Sequence, residues 1–277
     1  MAHLQKTLKT LTKILGAAFL VALTGLWSLP AAAAVDLAPH RAFYSMSLGT
    51  VRSGSGVTSV RGAMYTEWND SCEGWTLEQR LLLRIVNSHG TNMQTDSKFS
   101  SWESRDGLSY RFTNRNLRNG KLHEDLRGSA SLGAKGKGGK ATFTHPKDKS
   151  FKLPAGTMFP TRHMIELIER ARRGDKQLFR TVFDGASFDG ALEVNAVIGR
   201  LVKPVAQKVK VDPLISRPSW PLRLAFFSAK TAKSEPDYEL GVRLYDNGVA
   251  DEFTLDYGDF TVLARLEKIE ALPKPSC

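Results

Sequence analysis

The chain has 277 residues, 42% of them hydrophobic, with a formal charge of +11, two cysteines and six histidines. A positive balance suits anionic envelope surfaces such as phospholipid head groups, lipopolysaccharide phosphates or cell-wall carboxylates. In an exported protein nucleic acid is scarce and is not expected as a partner, and nothing beyond the first residues is long and apolar enough to span a membrane.

His3, Lys6, Lys9 and Lys13 form a positive start, 14–29 is apolar, and Ala31 to Ala34 supply the small residues that a signal peptidase needs. The run is shorter than the roughly 20 apolar residues of a membrane span and ends in Pro30, so a cleaved signal over 1–34 is expected, with a periplasmic product. No cysteine stands at the junction to accept lipid. The formal charge falls by the three leader lysines and stays basic, and 35–277 is expected to fold as one domain. In an oxidising compartment the only cysteines, Cys72 and Cys277, read as one structural disulfide tying the last residue to the early fold.

After Pro39, alternation and short apolar runs predict strands over 43–48, 57–67, 75–86 and 93–103. Asp106-Gly107 separates 100–105 from 108–113, and Asn119-Gly120 separates 110–118 from 121–126. Such dipeptides tolerate the positive φ of tight hairpin turns. Asp246-Asn247-Gly248 repeats the device between 238–245 and 249–257, and a last strand over 260–269 precedes the tail with Cys277. Hairpins between neighbours favour an antiparallel meander over a parallel, helix-crossed sheet.

One segment, 161–173, is helical by pattern. Thr161 is its expected cap, Met164, Ile165, Leu167, Ile168 and Ala171 recur at spacings of three and four, and Gly174 is an expected left-handed stop. The stripe should pack on the sheet, which makes Met164, Leu167 and Ile168 candidates for core or for a ligand pocket beside it. The glycine-rich stretch 133–140 is expected to be a mobile loop.

Short catalytic motifs fail. Gly185-Ala186-Ser187-Phe188 ends in Asp189 where a nucleophile elbow needs glycine, and Gly139-Lys140 is followed by Ala141 where a phosphate loop needs a hydroxyl. The histidines after the leader are dispersed singly, so no metal or cofactor site is expected. Asp184-Gly185 and Asp189-Gly190 are read as turns before they are read as an acid pair. Lys135, Lys137, Lys140, Lys147 and Lys149 form a basic stretch that is a candidate contact for an anionic surface, with plain solvation as the alternative.

The segment Pro39-His40-Arg41-Ala42-Phe43-Tyr44, Cys72 before Trp75, Leu153 through Thr161 (LPAGTMFPT), Val182-Phe183-Asp184-Gly185 and the terminal Cys277 occur together in this order. In these features the chain resembles the EipB-like family of periplasmic cell envelope integrity proteins of Gram-negative bacteria, a family of unknown function. The resemblance implies a many-stranded antiparallel sheet curled into a β-spiral or broken barrel around one helix, with the cysteines bonded, and a role in envelope stress resistance. It carries no catalytic residues. The expected function is a non-enzymatic one, in which a concave apolar interior holds a lipid-like or lipoprotein ligand. The alternatives are an interaction module docking on an envelope partner through a basic face and, third, a cell-wall hydrolase without a short motif.

Overall fold

A computed structural model of the chain describes residues 34–277 apart from 91, 148, 205–211 and 229–233. The leader expected over 1–34 therefore falls, but for Ala34, outside the described residues. The first strands are β1 (His40–Val51), β2 (Val57–Asp70), β3 (Gly74–Asn87), β4 (Asn92–Ser104) and β5 (Ser109–Arg118). They are followed by β6 (Lys121–Leu132), β7 (Gly139–His145), β8 (Lys149–Leu153) and the helix α1 (Pro160–Arg173). Then come β9 (Gln177–Val182), β10 (Leu192–Ile198), β11 (Ser219–Ser228), β12 (Tyr238–Tyr245), β13 (Ala250–Asp256) and β14 (Phe260–Ala271).

All strands belong to one 14-stranded sheet in the order β8-β7-β6-β5-β4-β3-β2-β1-β14-β13-β12-β11-β10-β9, and the named pairs are antiparallel. Every pair of neighbouring strands in the sheet is consecutive in sequence except at the centre, where β1 meets β14 with His40 opposite Ala271. The burial of β1 alternates, with Ala42, Tyr44 and Met46 inside and Tyr44 packed edge-on to Phe253. That is the period of two that a sheet with one buried face requires. The expected turns are present: Asn119 and Gly120 both have positive φ, 50° and 74°, and Gly107 and Gly248 lie at 71° and 84°.

The sheet stays open, with β8 and β9 as its edges. Its accumulated twist brings those edges round to one another, and Met158, just past β8, forms a parallel bridge with Val182 of β9. The sheet thus curls into a spiral whose two ends are joined by the short segment that leads into the helix. Inside, α1 supplies Leu167, Ile168 and Ala171 to a cluster with Leu178, Val194, Leu222 and Leu244. A second, aromatic cluster joins Tyr110, Phe112, Phe143, Phe159 and Phe183, with Tyr110 stacked on Phe159 at 5.0 Å. A third lines β1, β2, β3 and β14 with Tyr44, Met64, Leu83 and Val262.

The stretch 133–140 differs from the expected loop at its C-terminal end. Gly139 and Lys140 belong to β7, and the turn before them is tied by Gly133 N to Gly138 O at 3.0 Å and Lys137 N to Ala134 O at 2.9 Å. Gly156 N also donates to Gly136 O, so this turn is held by the segment after β8. Low side-chain mass hid a strand start that needs glycine: a Cβ on Gly139 would lie 1.9 Å from the Ser131 carbonyl oxygen.

Candidate functional site

The seam between the spiral's two edges gathers most of the charged chemistry of the inner fold. Met158 N donates to Thr181 O at 2.9 Å, and Phe183 N donates to Met158 O at 3.0 Å. Phe159 then takes the extended conformation of an N-cap and Pro160 opens the helix, where its fixed φ and missing N–H suit the first turn. A helix start leaves amide hydrogens without partners, and the buried ring of Phe159 offers them nothing. Glu103 of β4 fills the gap. Its carboxylate accepts from Thr161 N at 2.7 Å and Arg162 N at 2.8 Å while only 2% exposed. Thr161 is therefore not the cap expected from its residue type; it is a buried first-turn residue whose own amide is capped. Burial pushes the Glu103 carboxyl up to about 7, against the pull of the two amides.

Beside this helix start lies a pocket of about 370 Å³. The β4–β5 turn contributes Arg105, the β6–β7 turn Lys135, the helix Arg162 and β9 Arg180. Leu108, Leu132 and Met158 give it an apolar floor. The arginines are braced from outside the lining. Arg105 pairs with Asp70, donates from Nε to Cys72 O at 2.9 Å and stacks over Trp75 at 4.7 Å. Arg162 pairs with Glu169 at 3.1 Å, and Arg180 Nε donates to Glu166 Oε2 at 3.0 Å.

Cys72 and Cys277 are in bonding contact, with sulfurs 2.06 Å and Cα atoms 5.7 Å apart. The bond brings the C-terminal tail to the β2–β3 turn, which Arg105 also grips, so the tail is fastened beside the seam. Leu167 and Ile168, candidates for core or pocket, are core at 4% and 0% exposure, whereas Met164 is half-buried against the same cluster. All five candidate lysines are exposed, but the fold does not gather them. Lys135 lines the seam pocket and Lys137 shares its turn; Lys140 faces Lys152 across β7–β8; Lys147 lies in the β7–β8 turn and Lys149 opens β8 opposite Phe143, roughly 13 Å along the hairpin from Gly139 at strand rise.

Sequence reasoning also missed a basic outer face. Arg80 pairs with Lys98 and Lys98 with Arg115 across β3, β4 and β5, while Arg111 stacks on Trp102 at 4.9 Å. The available signal was the even spacing of Arg111 and Arg115, which puts both on one face of β5. Asp184 and Asp189 sit in turns: Gly185 and Gly190 have φ of 69° and 85°, and Asp184 Oδ1 accepts from Ala186 N. No group of three or more metal-type side chains occurs among the described residues. His163 is buried, its Nε2 without a partner, and burial brings the imidazole down to about 4 although Glu166 pulls the other way.

An open antiparallel spiral embracing one helix defines the class: a β-barrel-like protein whose sheet does not close. The chain belongs to the EipB-like family, whose model matches residues 31–273. It is 34% identical over 246 residues to the cell envelope integrity protein EipB of Brucella abortus, covering 87% of this chain and 86% of that protein. Among solved structures it is similar to a β-barrel-like protein of a domain of unknown function from Brucella abortus, with a TM-score of 0.78 and 32% identity. That likeness covers 87% of this chain and all of the other. The family is not a known enzyme family.

Proposed function

We propose that this is an exported, non-enzymatic periplasmic protein that supports cell envelope integrity by holding a lipid-like ligand against the uncovered part of its concave face. The envelope role rests on the likeness to the Brucella protein, and export rests on the leader. The ligand rests on one observation: the helix contributes to the cluster on the β9–β12 side, whereas the cluster on β1–β3 and β13–β14 contains strand residues alone. On that side Leu48, Leu81, Ile85, Phe253 and Leu255 remain half-buried on the inward face. Apolar surface left this way on a concave sheet favours an acyl chain or another apolar occupant.

Mass spectrometry of lipids extracted from protein purified out of its own envelope tests this. An acyl-bearing amphiphile should accompany the wild type and be lost from Leu81→Glu while the melting temperature stays within a few degrees. Recovery of no such molecule from the wild type sinks the ligand. A second reading, docking on an anionic envelope partner, is favoured by the outer row of Arg80, Lys98, Arg111 and Arg115, and charge reversal there would weaken capture of that partner.

A further inference from the structure

The seam pocket is separate from the apolar interior, and its composition is that of an anion site. Its lining holds the cations Arg105, Lys135, Arg162 and Arg180 against one carboxylate, Asp106. Asp106 is already engaged, accepting from Ser104 Oγ at 2.5 Å and from Leu108 N at 2.9 Å. The carboxylates that brace the arginines, Asp70, Glu169 and Glu166, are not part of the lining, so they hold the guanidinium groups in place without filling the pocket. Lys135 has no ion-pair partner among the described residues. The helix start contributes no free amide at its first turn, because Glu103 occupies it.

We infer that the seam pocket binds a phosphate-bearing ligand. Guanidinium forks match the oxygens of a phosphate two at a time, and an ammonium adds a mobile point charge. Arg105 and Arg162 keep N–H groups beyond their braces, whereas Arg180, with Nε and Nη2 on Glu166 and Nη1 on Phe179 O, adds mainly charge; side chains already held lose little freedom on binding, which favours the bound state. The floor of Leu108, Leu132 and Met158 accommodates the first methylenes of a substituent on that phosphate, and about 370 Å³ suits a head group and not a whole lipid. The chemistry is shared by a phospholipid head group and by free phosphate or a small phosphate ester. This inference does not depend on the acyl-binding interior: the two sites share none of the side chains invoked for each.

Calorimetric titration of the mature protein with inorganic phosphate and with dihexanoyl phosphatidate tests it. Saturable binding that weakens as salt is raised is expected, and Lys135→Ala should weaken it about threefold and Lys135→Ala with Arg162→Gln roughly tenfold or more. Comparable affinity for both probes assigns free phosphate; tighter binding of the phosphatidate assigns a lipid head group and engages the apolar floor. Leu81→Glu should leave both titrations unchanged, which separates this site from the interior. Absence of saturable binding by either probe overturns the proposal, as does undiminished binding by the double variant. Since Lys135 is exposed, its single variant keeps the test decisive if the double variant is unstable.

Discussion

Glu103, on the fourth strand, caps Thr161, at the first turn of the helix, across a sequence separation of 58. One carboxylate thereby satisfies the helix start and fastens the helix to the sheet. Glu103→Ala would leave two buried amides without acceptors, at a cost of about 3 kcal/mol. Glu103→Gln retains one acceptor and should cost less, and urea denaturation of both variants would show the order.

The same carboxyl makes stability depend on pH, with a sign that His163 opposes. Glu103 rises from 4.5 to about 7 on folding, so the stability due to its proton is present below 4.5 and lost as pH climbs through 7. His163 falls from 6.5 to about 4, so its contribution is present above 6.5 and lost as pH falls through 4. Between about 4.5 and 6.5 the two slopes offset, giving a flat wild-type profile from these groups. In Glu103→Gln the acid-side loss should be unmasked, and in His163→Gln the loss toward neutral pH, each on the order of 3 kcal/mol across its range. Thermal melts from pH 4 to 8 would refute this if both variants kept the wild-type profile.

The Cys72–Cys277 bond closes a separation of 205 residues. A loop that long restricts the unfolded chain by roughly 5 kcal/mol at most in the chain-entropy account. Cys72→Ser and Cys277→Ser should therefore lose similar stability, and the double variant little more. Labelling of both thiols under denaturing, non-reducing conditions would show that the bond is absent.

Along the helix, burial separates two residues that the apolar stripe alone makes equivalent. Ile168→Ala should cost about 3 kcal/mol because the 0% exposed site cannot collapse around the void, whereas Met164→Ala, half-buried, should cost about 1 kcal/mol. Equal losses in denaturation would place Met164 in the core.

Glycines of one short stretch should part in the same way. A Cβ at Gly139 meets the Ser131 carbonyl oxygen at 1.9 Å, so Gly139→Ala should prise β7 from β6 and cost about 2 kcal/mol or more. At Gly133 the nearest atom is an ordinary 3.6 Å away, and alanine should be neutral or slightly stabilising. Chemical melts of the pair distinguish a strand start from a loop.

What lies close in sequence was legible before any fold was built. Asn119-Gly120, Asp246-Asn247-Gly248, the helical stripe with Gly174 at its end, and alternation through β1 to β6 report local conformational preference, and two cysteines leave one pairing. The order of residues that carries the family resemblance was readable in the same direct way. Strands β7 to β9 and β11 were not, because they are short, glycine-started or interrupted by residues such as Pro221, so their pattern shows only once neighbours supply the ladder, whereas the alternation of β10 was readable and was missed. Tertiary structure alone decided that β1 lies beside β14, that Glu103 and not Thr161 caps the helix, and that Lys135 joins three arginines while Lys147 and Lys149 point elsewhere. Each of these depends on where a twisted sheet returns to itself, a sum over many strands that no local window contains.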